Sequence, residues 1–93
     1  MDKIVYISGS ITGNIEWEKQ FRMAEIKLCK KGYVVLSPIY FPHGMTQKQY
    51  MTLSMAYLSV ADCVFVLKGY EKSEGAKVEI AYAKKCGMEI RYE

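Results

Sequence analysis

Cys63-Val64-Phe65-Val66-Leu67, followed by Lys68-Gly69-Tyr70-Glu71-Lys72-Ser73-Glu74-Gly75-Ala76-Lys77-Val78-Glu79, is the stretch that decides the fold. The first five residues form an apolar, β-branched and aromatic run that reads as a buried strand. A short loop with Ser and Gly follows, and then a helix that carries Glu79 about one turn from its start. Ala76, Ile80, Ala83 and Gly87 fall at i, i+4, i+7 and i+11, a core-facing stripe of a helix running from Gly75 to about Cys86. A strand, a loop and a helix N-terminus in that order form a natural place to hold an anion.

The same alternation extends outward. Lys3-Ile4-Val5-Tyr6-Ile7 reads as the first strand, and Ser8 to Asn14 as a turn-rich loop. Ile15 to Lys31 has helical spacing, with Phe21, Ala24, Ile26, Leu28 and Cys29 at the apolar positions, and Gly32 is a good stop. Tyr33 to Leu36 is the second strand, ended by Pro38. Ile39 to Met45 is a loop, and Thr46 reads as the N-cap of a second helix reaching about Val60, with Met51, Met55, Leu58 and Ala61 inward. Met88 to Tyr92 is a short last strand. The order βαβαβαβ predicts one α/β domain over residues 1–93: a Rossmann-like (flavodoxin-like) parallel sheet of about four strands flanked by three helices. Ligands in such folds bind at the carboxyl ends of the strands, where the loops after strands one and three meet.

Bulk composition narrows the function. The 93 residues are 51% hydrophobic and 25% charged, ordinary values for one globular domain. A chain this short buries only about 60 to 65% of its unfolded surface, so assembly into a homo-oligomer is expected to help it. The net charge of +3 is weak, and Lys30-Lys31 and Lys84-Lys85 sit at helix C-termini, so no nucleic-acid polymer is expected as a partner. Cys29, Cys63 and Cys86 are widely spaced in apolar contexts and read as small buried hydrophobes of a reducing compartment. One histidine and no paired cysteines give no metal site, and nothing implies a cofactor. No apolar run approaches about 18 residues, and Asp2-Lys3 leads straight into a strand, so neither membrane span nor signal peptide is expected and a cytoplasmic location is.

Each candidate residue has a plainer reading beside the functional one. In Gly9-Ser10-Ile11-Thr12-Gly13 two glycines would let the backbone approach a ligand, and Ser8, Ser10 and Thr12 add hydroxyls; an ordinary strand-to-helix turn needs glycines too. It matches neither the Walker loop nor the dinucleotide fingerprint. Glu79 borders the core stripe, where partial desolvation would raise its pKa for nucleophilic or acid–base work, although periodicity alone favours a surface glutamate paired with lysine. Ser73 and the Gly75 amide could bind an anion, or Ser73 could simply cap the helix. Asp62 reads as the end of helix two or a cap on the turn into strand three. Tyr6 could project toward the site or pack, and His43, the one histidine, lies in a Pro/Gly loop where a surface role is commoner. The eight tyrosines could stack on a base or fill a subunit interface.

Together these residues resemble the nucleoside 2-deoxyribosyltransferase-like superfamily, closest to its short phage and prophage branch. The resemblance rests on Ile4 to Gly13, Phe21 with Ala24-Glu25, Gly32-Tyr33, Leu58, Ala61-Asp62, Gly69 to Ala76, Glu79 and Ala81. It implies that Glu79 is a nucleophile attacking the anomeric carbon of a nucleotide or nucleoside, with release of the base and a covalent ribosyl-enzyme, the retaining double displacement. It implies Tyr6 beside the reacting sugar, and Ser8, Gly9, Ser10, Ile11, Gly13 and Asp62 among the substrate-binding residues. Transferases of this superfamily carry an aspartate at the position of Ser73, whereas its nucleotide hydrolases carry serine facing a 5′-phosphate; Ser73 with Gly75 therefore implies a 5′-monophosphate. The resemblance also implies a dimer or larger assembly. One departure matters: an aspartate that assists base protonation is replaced here by Ser54. The reading is thus a nucleotide-directed N-glycosidase or deoxyribosyltransferase-like protein, and the alternative is a non-catalytic nucleotide-binding protein that sequesters its ligand.

Overall fold

A computed structural model describes residues 3–93. Four strands, β1 (Ile4–Ser8), β2 (Val34–Leu36), β3 (Cys63–Val66) and β4 (Glu89–Tyr92), alternate with three helices, α1 (Trp17–Lys30), α2 (Gln47–Val60) and α3 (Glu74–Lys85). The strands form one parallel sheet in the order β2-β1-β3-β4. The expected α/β architecture, with a four-stranded parallel sheet and three helices, is therefore the observed one.

The order fixes where the helices go. The chain steps from β1 outward to β2, then returns across β1 to build β3 and β4. Right-handed crossovers in opposite directions place their helices on opposite faces. Accordingly Phe21, Ala24 and Leu28 of α1 pack with Val5, Ile7, Cys63 and Leu67 on one face. Leu58 of α2 and Ile80 and Ala83 of α3 pack with Tyr6, Val64 and Val66 on the other. Alternate residues of the central strands thus enter different cores, as the period of two requires. The reversal lies between β1 and β3, so their carboxyl ends open the crevice in which parallel sheets bind ligands.

Local chemistry sets the helix ends. Thr46 and Gln49 form a reciprocal capping box: Gln49 N–H donates to Thr46 Oγ1 at 3.2 Å and Thr46 N–H to Gln49 Oε1 at 2.9 Å. Ser73 caps α3 by accepting from the Ala76 N–H at 3.0 Å. Gly32, at φ +92°, turns the chain out of α1.

The structure departs from the sequence reading at several points. α1 starts at Trp17 rather than Ile15, because Asn14 to Glu16 form a turn whose Trp17 N–H donates to Asn14 O, leaving Ile15 97% exposed. Short 3-10 turns at Pro38–Tyr40 and Tyr70–Lys72 occupy what read as irregular loop. Only Cys63 of the three cysteines is buried; Cys29 and Cys86 are exposed. Cys29 sits about 100° around the helix from the buried Leu28, and Cys86 is already the C-cap of α3, so neither reaches a core. Ile26 is likewise exposed on the outer side of α1. No helix among the described residues is long and apolar enough to cross a membrane.

Candidate active site

β1 runs from a half-buried start into a deeply buried end, and its last residues set the floor of a pocket. Tyr6 and Ser8 are two residues apart, so both project to the α2/α3 face. There they meet Glu79, which α3 carries on its buried side between Ala76 and Ile80. Tyr6 O–H donates to Glu79 Oε2 at 2.7 Å, and Ser8 O–H donates to Glu79 Oε1 at 2.6 Å. Ser54 of α2 completes the group, its Oγ lying 3.2 Å from the Tyr6 hydroxyl. Glu79 is only 6% exposed, so the lysine-paired surface glutamate that periodicity favoured is not what forms.

Burial dominates the electrostatics. It pushes the Glu79 carboxyl above its ordinary value, while the hydrogen bonds from Ser8 and Tyr6 pull the other way without cancelling it. The Tyr6 phenol is pushed well above its usual range, first by burial and then by the charge of Glu79. A desolvated carboxylate held at both oxygens keeps one orientation and stays reactive toward an electrophile.

Above this floor lies a cavity of about 390 Å³, a size suited to a small organic ligand. Three segments form its walls. Gly9, Ile11, Thr12 and Trp17 come from the end of β1 to the start of α1; Pro38, Phe41 and His43 follow β2, with Gln47, Tyr50, Met51 and Ser54 along α2; Ser73, Gly75 and Ala76 begin α3. A Cβ on Gly9 would lie 3.1 Å from Leu67 Cβ and 3.2 Å from Phe21 Cζ, so glycine lets this loop lie flat on the core. A polar relay then ties the loop to its neighbour. Asn14 Nδ2 donates to Ser10 O and to Gln20 Oε1, both at 3.0 Å, and Gln20 Nε2 donates to Lys68 O at 2.9 Å.

Of the residues singled out in the sequence, Tyr6, Gly9, Ile11, Ser73, Gly75 and Glu79 line this cavity together, and Ser8 stands directly behind Glu79. Ser73 caps α3, the plainer of its readings, and also lines the cavity. Ser10 is buried and, like the exposed Gly13, which turns the loop at φ +79°, does not line the cavity. Asp62 does not join the site. It is exposed at the start of β3, the opposite end of the sheet, where its Oδ2 accepts from the Ile4 N–H at 2.7 Å. It caps the turn into β3, the plainer of its two sequence readings.

Gln47, Tyr50 and Phe41 have no part in the sequence reading, Met51 reads there as core, and Ser54 and His43 enter it only as a departure from the family pattern and a surface residue. Gln47, Tyr50, Met51 and Ser54 fall at i, i+3, i+4 and i+7, a helical face that the apolar count alone reads as core. The signal for Gln47 and Tyr50 is the polar Ser54 in the same stripe. His43 and Phe41 follow β2, whose carboxyl end opens on the same side as those of β1 and β3, so topology rather than composition brings them in. Among the described residues no group of three or more His, Cys, Asp and Glu could hold a metal.

Fold and site together define a small parallel α/β protein with a buried, doubly hydrogen-bonded carboxylate at the floor of a ligand-sized cavity. The chain belongs to the family described as Domain of unknown function (DUF4406), whose model matches residues 3–92. No curated protein matches it.

Proposed function

We propose that this protein acts on a nucleoside 5′-monophosphate as an N-glycosidase or deoxyribosyltransferase-like enzyme, with Glu79 as nucleophile. The observation that carries this reading is the Tyr6–Glu79–Ser8 arrangement facing the cavity. Attack of a Glu79 oxygen on the anomeric carbon would release the base and leave a glycosyl ester, which water or a second base then resolves. Tyr6 and Ser8 would steer the carboxylate and soften its charge as it becomes an ester oxygen. Ser73 and the Gly75 N–H, at the positive end of α3, form the wall suited to the phosphate.

One observation favours a second reading. Glu79 is the one carboxylate among the residues lining the cavity, and Ser54 stands beside Tyr6 where an acid would help the base depart. A protein that binds the nucleotide and holds it, without chemistry, is consistent with that wall.

The test is incubation with a panel of ribo- and deoxyribonucleoside monophosphates, with free base as the readout. Base released by the wild type and not by Glu79→Ala supports the enzyme. Binding by both proteins with no base from either supports sequestration. A second measurement addresses the phosphate. Aspartate caps helices as well as serine does, so Ser73→Asp is expected to fold. It should weaken monophosphate binding by roughly 10- to 100-fold through charge repulsion, worth about 1.4 to 2.8 kcal/mol, and leave the nucleoside nearly unaffected. Equal losses for both ligands would remove the phosphate from this wall.

A further inference from the structure

Cleavage of an N-glycosidic bond needs a proton for the departing base as much as it needs a nucleophile. If Glu79 attacks, it cannot also be the acid in that step. The other proton-bearing side chains on the wall include the hydroxyls of Tyr6, Thr12, Tyr50, Ser54 and Ser73. Hydroxyls hold their protons too tightly at neutral pH, and an imidazole is the side chain that exchanges one there. His43 is the chain's one histidine, and it lines the same cavity as Glu79 from a different wall.

The loop that presents His43 is anchored on both sides. Tyr50 O–H donates to Pro42 O at 2.9 Å, fixing the residue before it to α2. Three residues on, the Thr46–Gln49 capping box fixes the start of α2, and Gly44 at φ +90° makes the turn between. His43 itself is exposed on the rim, where water can reach the imidazole and the cavity together.

Resting on the glycosidic reading of the Glu79 pocket, we propose that His43 is the general acid of the reaction. As a Glu79 oxygen bonds to the anomeric carbon, the electron pair of the C–N bond passes to the base, and the imidazolium N–H gives its proton to a base nitrogen. Water then attacks the anomeric carbon, gives its proton to the neutral imidazole, and Glu79 leaves as carboxylate. Nucleotide and water become base and sugar phosphate, with every proton accounted for.

The experiment compares wild type with His43→Gln on two kinds of substrate, with folding of the variant checked by circular dichroism. One is the set of deoxynucleoside 5′-monophosphates. The other is 4-nitrophenyl 2-deoxyribofuranoside 5-phosphate, whose phenolate departs without needing a proton. His43→Gln is expected to lose about 10²- to 10⁴-fold in kcat on the nucleotides, with KM held, and less than about tenfold on the nitrophenyl substrate. Equal losses on both substrates, a loss confined to KM, or no loss on nucleotides would each overturn the assignment of His43 while leaving Glu79 as nucleophile. A wild type that cleaves neither substrate would overturn the glycosidic reading itself, and the acid with it.

Discussion

The two faces of the sheet are buried alike and built differently. Beneath α1 the core is Val5, Ile7, Phe21, Ala24, Leu28, Cys63 and Leu67, with no ionisable oxygen in it. Beneath α2 and α3, Tyr6, Val64, Val66, Leu58, Ile80 and Ala83 share their space with Ser8, Ser54 and Glu79. An all-apolar filling of the second face would be the more stable choice, because a buried carboxylate loses its hydration and hydrogen bonds restore only part of it. One face is therefore wholly apolar, and the other buries a hydrogen-bonded carboxylate at some cost in stability.

Substitutions on the two faces should separate these roles. The largest effect is expected from Leu28→Ala on the α1 face, which removes a buried side chain far from the cavity and should cost about 2–5 kcal/mol in urea unfolding. Ligand affinity of the protein that remains folded should be unchanged, and a parallel loss of affinity would break the division between the faces.

Glu79→Gln should move the other way. Burial raises the folded-state pKa of Glu79 above its unfolded value, so its contribution to stability is complete below the unfolded pKa and is lost as pH rises through the folded one. The glutamine variant has no charge to bury. It should therefore exceed wild type by about 1 kcal/mol on the alkaline side, roughly 4–8 °C in Tm for a domain of this size. The gap should close on the acid side, and base release should be absent at every pH. A variant less stable than wild type at pH 8 would mean that the hydrogen bonds outweigh desolvation.

The smallest effect is expected at the far end of the sheet. Asp62→Ala removes the acceptor of the Ile4 N–H, an exposed contact that water can replace, and should cost about 0.5–1 kcal/mol. Ligand binding should be untouched. A marked loss would return Asp62 to the site from which its position removes it.

The same contrast explains what the sequence made legible. Alternation of β-branched runs with helical periods revealed every strand and helix, because each is a local pattern. The Tyr6–Glu79 pairing spans 73 residues and depends on which crossover goes to which face, which periodicity does not express. Glu79 was found as a candidate because it borders the stripe of Ala76, Ile80 and Ala83, yet its burial comes from Tyr6 and Ser8 across the sheet. Cys29 and Ile26 show the converse: both are apolar, yet helix rotation turns them outward. His43 and Phe41 carried no pattern at all and reach the cavity only because all four strands are parallel.

Trp17 gives the molecule a built-in optical gauge. It is the sole tryptophan, it lines the cavity, and it stands edge-on to Phe21 with ring centroids 5.8 Å apart. Filling the cavity changes the solvent around its indole, so intrinsic fluorescence can titrate occupancy with no label and no turnover. Occupancy can thus be followed in the Glu79 and His43 variants even where no base is released.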